Sequence, residues 1–270
     1  MSLVAAALLP HPKRLVQTSR VPADTFVKTR RGFEVVRELL IKRDVETLVT
    51  LSPRVLTPLD PYSVTPTDPS LYYVLGLDQL QVALPQLNDA LPARVFRNDV
   101  DFSHQLVERA RPFGLKLMVS PHVKVDEVSA TALTLLNLPT QKQPLLVSLV
   151  LPYLAPQELY EFGQILGGLA ELVKTKVAIL AVADLSSRLA KNSPAGFDPL
   201  GKQFDELVQE AAASGDFLKL VTADAQMLER SGEEAARPLA VVAAAAHSLK
   251  PKLVSYEAPF GTGHAVLTWS

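Results

Sequence analysis

The sequence contains no cysteine among its 270 residues. Disulfides, thiolate metal ligands, cysteine nucleophiles and cysteine-bound iron–sulfur clusters are therefore excluded. An excess of either charge is also lacking, because 27 Lys and Arg residues oppose 28 Asp and Glu residues for a formal net charge of -1. A chain so balanced has no overall attraction to nucleic acid or to an anionic membrane, and we expect neither as a partner.

Long hydrophobic runs are absent as well. A membrane-spanning helix needs about 20 apolar residues, whereas the stretch 144–154 is shorter and contains two prolines. The apolar run 3–9 has no basic region before it and ends in Pro-His-Pro-Lys, which favours a buried strand over a signal peptide. Together with the lack of cysteine, these features predict a soluble, cytoplasmic protein.

The chain alternates short apolar runs with segments of helical period, which is the pattern of a sheet covered by helices. No composition shift divides it, so we predict one α/β domain over residues 1–270, with a central mixed sheet flanked by helices. The proline-rich stretch 52–70 predicts a long loop. The predicted strands are 3–9, 45–51, 115–119, 145–150, 176–182, 253–258 and 264–269. The predicted helices are 30–42, 156–173, 200–213 and 233–249.

Residues that follow strands are of special interest, because open α/β sheets bind ligands at strand ends. His11 follows the first strand between two prolines, which stiffen the chain, and Glu257 lies near the end of the strand 253–258. An imidazole and a carboxylate at strand ends are two parts of the 2-His-1-carboxylate triad that holds non-haem Fe(II). A buried structural histidine bonded to the backbone is the alternative interpretation of His11.

Four segments occur in an order that matches one known family. They are Leu9-Pro10-His11-Pro12, Ser52-Pro53-Arg54, Ala183-Asp184-Leu185-Ser186-Ser187-Arg188-Leu189 and Tyr256-Glu257-Ala258-Pro259-Phe260-Gly261. On these segments the chain resembles the catalytic subunit of class III extradiol ring-cleaving dioxygenases, the LigB-like family, and in particular its Memo-related subgroup. The resemblance implies Fe(II) held by His11 and Glu257 and a small catechol-like aromatic ligand.

Three residues depart from the pattern of that family. Arg54 stands where the family has its second metal-binding histidine, and Glu127 and Ser187 stand at two further histidine positions. A guanidinium has no lone pair for a metal, and a serine does not titrate near neutral pH. We therefore expect a reduced or absent Fe(II) site in which Arg54 neutralises Glu257. The expected function is that of a diverged binding or scaffold protein, with a homo-oligomer as one form of it.

Two alternatives stay open. In the first, His122, His264 or Glu127 completes the metal shell, and the protein is an active Fe(II) ring-cleaving oxidoreductase. In the second, Glu257, Asp184 or Glu127 supports metal-independent acid–base chemistry in the same cleft. His122 follows a literal Ser-Pro pair, whereas an exposed strand position is the simpler interpretation of His264. The further candidates for the cleft are thus Arg54, His122, Asp184 and His264.

The remaining charged and glycine-rich segments receive structural interpretations. Glu233-Glu234 and Asp205-Glu206 predict solvated charges on helices, and Asp101 predicts a helix N-cap. The glycines within 163–168 lack the strand-to-helix fingerprint of a dinucleotide site, so we expect them to serve helix packing.

Overall fold

The computed structural model describes residues 2–17, 21–53, 70–84, 88 and 91–270. Arg54 and most of the predicted loop 52–70 lie outside the described residues. Within the described part, the strands form one sheet of eight and a separate ribbon of two. They are β1 (Leu3–Leu9), β2 (Thr47–Pro53), β3 (Tyr72–Leu75), β4 (Gln79–Val82), β5 (Arg94–Arg97), β6 (Leu117–Ser120), β7 (Leu145–Leu151), β8 (Val177–Val182), β9 (Pro251–Glu257) and β10 (His264–Trp269).

Helices cover both faces of the larger sheet. They are α1 (Lys13–Val16), α2 (Val27–Lys42), α3 (Val100–Ala110), α4 (Glu127–Leu136), α5 (Pro156–Leu172), α6 (Pro199–Ser214), α7 (Leu218–Val221), α8 (Ala225–Ser231) and α9 (Ala236–Ala245). Short 3-10 helices lie at Arg111–Phe113, Thr140–Lys142 and Pro259–Gly261. None of the helices in the described residues is long and apolar enough to cross a membrane.

The larger sheet is mixed. Its strand order is β6-β3-β7-β2-β8-β1-β10-β9, and the neighbours β7, β2, β8 and β1 run parallel. Strand β10 runs antiparallel to β1, and β9 runs antiparallel to β10. One end of the sheet therefore brings together the last residues of β1, β8 and β9 and the first residue of β10. In open α/β sheets the ligand cleft lies at this end of the strands.

The central strands are buried because helices pack on each face of the sheet. Every residue of β2 and β8 is buried, without the alternation of a half-exposed strand. One core layer contains Phe162 of α5 and Leu239 of α9, and the opposite layer contains Phe33 of α2 and Leu133 of α4. The prediction of one α/β domain with a central mixed sheet between helices is confirmed.

Among the local boundaries that differ from the sequence prediction, two have a clear structural cause. Asp99, not Asp101, caps α3, because the Asp99 carboxylate accepts from the Phe102 backbone N–H at 3.0 Å. Asp101 lies in the first turn of that helix. Strand β2 continues to Pro53, because residues 52 and 53 pair with β7 instead of starting the loop.

The expectation that Asp205 is a solvated helix charge is wrong. Asp205 is 1% exposed, and its carboxylate accepts from the Tyr256 hydroxyl at 2.7 Å and the Ser186 backbone N–H at 2.9 Å. Burial raises the pKa of Asp205 to about 6, although both hydrogen bonds act in the opposite direction. The residue joins α6 to β9 and to the segment after β8, and its role is structural.

Glycines let α5 approach α9 closely. A Cβ atom at Gly167 would lie 2.7 Å from both the Cα and the carbonyl oxygen of Ala245, so a side chain there would strike the backbone of α9. Gly163 makes a similar approach to Val241. By contrast, a Cβ at Gly168 would meet nothing within 4 Å. The interpretation of Gly163 and Gly167 as helix-packing residues is confirmed.

The adjacent pair Gly167 and Gly168 offers a matched test of this packing. Gly167→Ala is expected to lower the free energy of unfolding by about 2 kcal/mol, since the backbone of α9 must shift to admit the methyl group. Gly168→Ala is expected to raise it by roughly 0.5–1 kcal/mol, because alanine favours the helix and has room. Urea unfolding of both variants measures the two values. A stabilised Gly167→Ala variant would contradict the described contact.

Candidate functional site

Three residues from separate strands meet at the end of the sheet where β1 and β8 finish. His11 follows β1, Asp184 follows β8, and His264 begins β10. Because β1 lies between β8 and β10, the loops after β1 and β8 and the start of β10 are neighbours. All three residues have little exposure, and His11 and His264 are 6% and 4% exposed. Each of them was a candidate site residue in the sequence analysis, and the fold brings them together.

The Asp184 carboxylate joins the two histidines. Its Oδ1 accepts from the His11 backbone N–H at 3.0 Å and lies 3.0 Å from Nδ1 of His264. Burial by itself would raise the pKa of Asp184, but His11 and His264 hold it well below its usual range. Asp184 is therefore an anion that orients His264 and fixes the turn after β1.

The side chain of His11 has a second acidic partner. Its Nε2 lies 2.7 Å from Oε2 of Glu234 and 3.9 Å from Oδ2 of Asp184. Burial lowers the pKa of His11, but the Asp184 and Glu234 carboxylates outweigh this effect and raise it to about 9. His11 is accordingly an imidazolium at neutral pH.

Glu234 and Glu233 were expected to be solvated helix charges, and that prediction is wrong. Both precede α9, which begins at Ala236. The Glu233 carboxylate accepts from the Ala236 backbone N–H at 2.6 Å, and burial raises its pKa to about 7. The Glu234 side chain is 39% exposed but reaches His11. The sequence signal was a Glu pair at a helix start, where carboxylates satisfy backbone N–H groups.

Ser187 positions the segment that carries Glu234. The Ser187 hydroxyl donates to the Gly232 carbonyl at 2.8 Å, and its backbone N–H donates to the same oxygen at 3.2 Å. The neighbouring Ser186 hydroxyl donates to the Ser231 carbonyl at 2.6 Å. Ser187 thus forms backbone contacts that hold the turn before Glu233.

A cavity of about 480 Å³ lies beside this network. Arg14, Phe26, Phe260, Asp184 and His264 contribute to its walls. The Phe26 ring lies 5.2 Å from the His264 ring and 6.0 Å from the Phe260 ring. The Arg14 guanidinium lies over the Phe260 ring at 4.3 Å from its centroid. The cavity therefore combines aromatic walls with a cation, which suits an aromatic or anionic ligand.

The two phenylalanines have unusual backbone conformations. Phe26 has φ 60° and Phe260 has φ 58°, in the left-handed region that bulky residues rarely adopt. Such conformations cost about 1–3 kcal/mol each and cluster at ligand sites. Both backbone conformations indicate that the cavity is a functional feature. The sequence carried no signal for Phe26, because a residue's type does not reveal a left-handed backbone. It carried no signal for Arg14 either.

Glu257 does not contact His11 in the described residues. Its Oε1 accepts from the Thr29 backbone N–H at 2.6 Å, and its strand position is paired with His264. Glu127 forms an ion pair with Lys13 at the start of α1.

His122 is likewise remote from His11. It follows the edge strand β6, and four strands separate β6 from β1 in the sheet. Its backbone N–H donates to the Ser120 hydroxyl at 3.4 Å. Since Arg54 lies outside the described residues, its predicted pairing with Glu257 stays a prediction.

These residues do not form the triad that Fe(II) requires. Across residues 2–17, 21–53, 70–84, 88 and 91–270, no group of three or more His, Asp or Glu side chains is arranged to hold a metal ion. Nε2 of His11 is directed at Glu234, and its Nδ1 is buried without a hydrogen-bond partner in the same ranges. The donor set therefore does not fit the ion.

Comparison with known families places this cleft in context. The family model described as "Catalytic LigB subunit of aromatic ring-opening dioxygenase" matches residues 5–268. The chain belongs to the LigB family. The matched range spans His11, Asp184, Glu257 and His264, and it confirms the predicted resemblance to the LigB-like family.

One curated protein and one solved structure are also similar to this chain. "Protein CA_C1420" of Clostridium acetobutylicum is 22% identical over 272 residues, which cover 99% of this chain and 57% of that protein. The chain thus spans little more than half the length of this curated relative. The crystal structure of uncharacterized protein JW3007 from Escherichia coli K12 has a TM-score of 0.62 at 13% identity, covering 99% of this chain and 100% of that one. The latter similarity concerns the fold alone.

Proposed function

We propose that this LigB-family protein is a diverged, Memo-related member that binds a small aromatic ligand without Fe(II) and does not open its ring. The observation that carries the proposal is the 2.7 Å contact between Nε2 of His11 and Glu234. In this contact His11, one of the expected metal ligands, pairs with a carboxylate in place of a metal. Glu257, the other expected ligand, is bonded to the backbone of Thr29.

The chemistry of the side chains supports a metal-free cleft. His11, one expected metal ligand, directs its Nε2 at Glu234, and no group of three or more His, Asp or Glu side chains in the described residues is arranged to hold a metal ion. Arg54, which the family resemblance places at the second metal-ligand position, is permanently cationic. Ser187 stands where the family has an acid–base histidine, and its hydroxyl bonds to the Gly232 carbonyl.

The cavity supports binding of an aromatic anion. Phe26 and Phe260 offer ring faces and edges, which favour aromatic partners at centroid distances of roughly 4.5–7 Å. The Arg14 guanidinium lies over the Phe260 ring, and a guanidinium matches a carboxylate in shape and charge. Lys13 also lines the cavity, but Glu127 neutralises it. Benzoate is the simplest ligand with both features.

Benzoate binding, measured by isothermal titration, tests the proposal. The dissociation constant is expected to be the same with and without EDTA, and Arg14→Ala is expected to raise it by about tenfold, or 1.4 kcal/mol. Arg30→Ala is the matched control, because Arg30 is exposed on α2 and does not line the cavity. Catechol with added Fe(II) should show no oxygen uptake beyond that of the same mixture without protein. Uptake that depends on both iron and the protein, or loss of benzoate binding in EDTA, would reject the proposal.

A metal-independent acid–base enzyme is the second candidate function. The supporting observation is the 3.0 Å contact between Asp184 and Nδ1 of His264 at the cavity wall. A carboxylate that orients one imidazole nitrogen leaves the other nitrogen to exchange a proton with a ligand. Turnover in EDTA that His264→Gln abolishes, with benzoate binding retained, would favour this candidate over simple binding.

A further inference from the structure

In the part of the chain that the structure describes, no strand lies beside the outer edge of β9. β9 is the last strand of the larger sheet, and β10 is its strand partner in the described residues. Its residues are half-buried, except for Lys252, which is exposed. An edge strand offers a row of backbone N–H and C=O groups to another extended chain.

A groove runs between this strand and α2. Its helix side is formed by Lys28, Arg31, Val35 and Leu39, whose spacing places them on one stripe of α2. The groove measures about 770 Å³ and is larger than the cavity beside His264. α2 approaches the sheet closely at Gly32, where a Cβ atom would lie 2.6 Å from Val266.

The charged side chains that line the groove have one sign. Lys28, Arg31 and Lys252 are exposed and line it, and no ion pair in the described residues neutralises them. Glu257, at the end of β9, accepts from the Thr29 backbone. The apolar residues Val35 and Leu253 lie between the cations. An extended segment that alternates acidic and apolar residues would match this surface.

We propose that the groove between α2 and β9 binds an extended acidic segment of another protein, which adds to the sheet as a strand beside β9. Backbone hydrogen bonds to β9 would provide the affinity, and Lys28, Arg31 and Lys252 would select acidic side chains. A second copy of this chain fits less well. Pairing of β9 with β9 of a second copy brings both sets of cations together, and like charges oppose association. This site is separate from the ligand cavity.

The test uses a fluorescein-labelled peptide of alternating Glu and Val and fluorescence polarisation with the whole protein. Saturable binding is expected, and it should weaken as salt rises, because surface charges are screened. The double variant Lys28→Glu/Arg31→Glu should weaken binding by at least about tenfold. Lys174→Glu/Lys219→Glu is the matched control, since these lysines are exposed and lie outside the groove. It should bind as the original protein does.

A second measurement separates strand addition from simple charge attraction. N-methylation of alternate peptide residues removes the N–H groups of one strand edge and leaves those of the other edge. Only one of the two methylated peptides should lose binding. Equal binding of both, or equal binding by the two double variants, would overturn the proposal. Analytical ultracentrifugation that shows a dimer abolished by Lys28→Glu/Arg31→Glu would overturn it in favour of a second copy.

Discussion

Replacing Asp184 with alanine is expected to lower the free energy of unfolding by about 3 kcal/mol at pH 7, the range found when one partner of a buried charge pair is removed. The substitution leaves the His11 backbone N–H and Nδ1 of His264 without their acceptor. It also removes one of the anions that stabilise the His11 imidazolium. Urea unfolding with linear extrapolation measures the change.

Two control variants define what this loss means. Asp184→Asn keeps an acceptor oxygen but removes the charge, so it is expected to cost about half as much as Asp184→Ala. Glu108→Ala removes an exposed pair with Arg111 on α3 and is expected to change stability by less than about 0.5 kcal/mol. A cost below about 1 kcal/mol for Asp184→Ala would show that Asp184 does not organise the site.

The second large effect is a loss of stability at alkaline pH. The pKa of His11 is raised from 6.5 to about 9 in the folded protein, so the folded state binds a proton that the unfolded state releases. The stabilisation is complete below pH 6.5 and disappears as the pH rises through 9. Between pH 7.5 and 9 the expected decrease in the free energy of unfolding is about 2 kcal/mol, as an upper value.

Glu234→Gln isolates the contribution of one partner to this pH dependence. The variant loses one of the two anions near His11, so its stability is expected to fall by about half as much over the same pH range. The pKa of Glu233 is about 7, below that pH range. Glu229→Gln, at an exposed position of α8, should follow the original protein. Unchanged alkaline behaviour in Glu234→Gln would contradict the His11 assignment.

Much of the fold could be predicted from the sequence because the central strands are apolar runs with clear ends. The run before Pro10 gave β1, and the run between Pro144 and Pro152 gave β7. Both are buried on two faces, so no alternation was needed to recognise them. The helix predicted at 233–249 starts later, at Ala236, because Glu233 and Glu234 lie in the segment that precedes it.

The sequence allowed single residues of the site to be predicted, but not how these residues are arranged. His11, Asp184 and His264 lie far apart in sequence, and their contact depends on the order β8-β1-β10, which periodicity does not specify. Glu234 resembled a surface charge because its partner is over 200 residues away. The left-handed backbone at Phe260 was not predictable from residue type, since phenylalanine rarely adopts it.

The central claim is that His11 pairs with Glu234 and does not hold iron, and iron content after anaerobic reconstitution with Fe(II) tests it most directly. After desalting, elemental analysis is expected to find well below one iron per chain, with no change in Glu257→Gln or His11→Ala. Both variants remove an expected ligand, so they control for adventitious iron. One iron per chain in the original protein, lost in both variants, would contradict the claim.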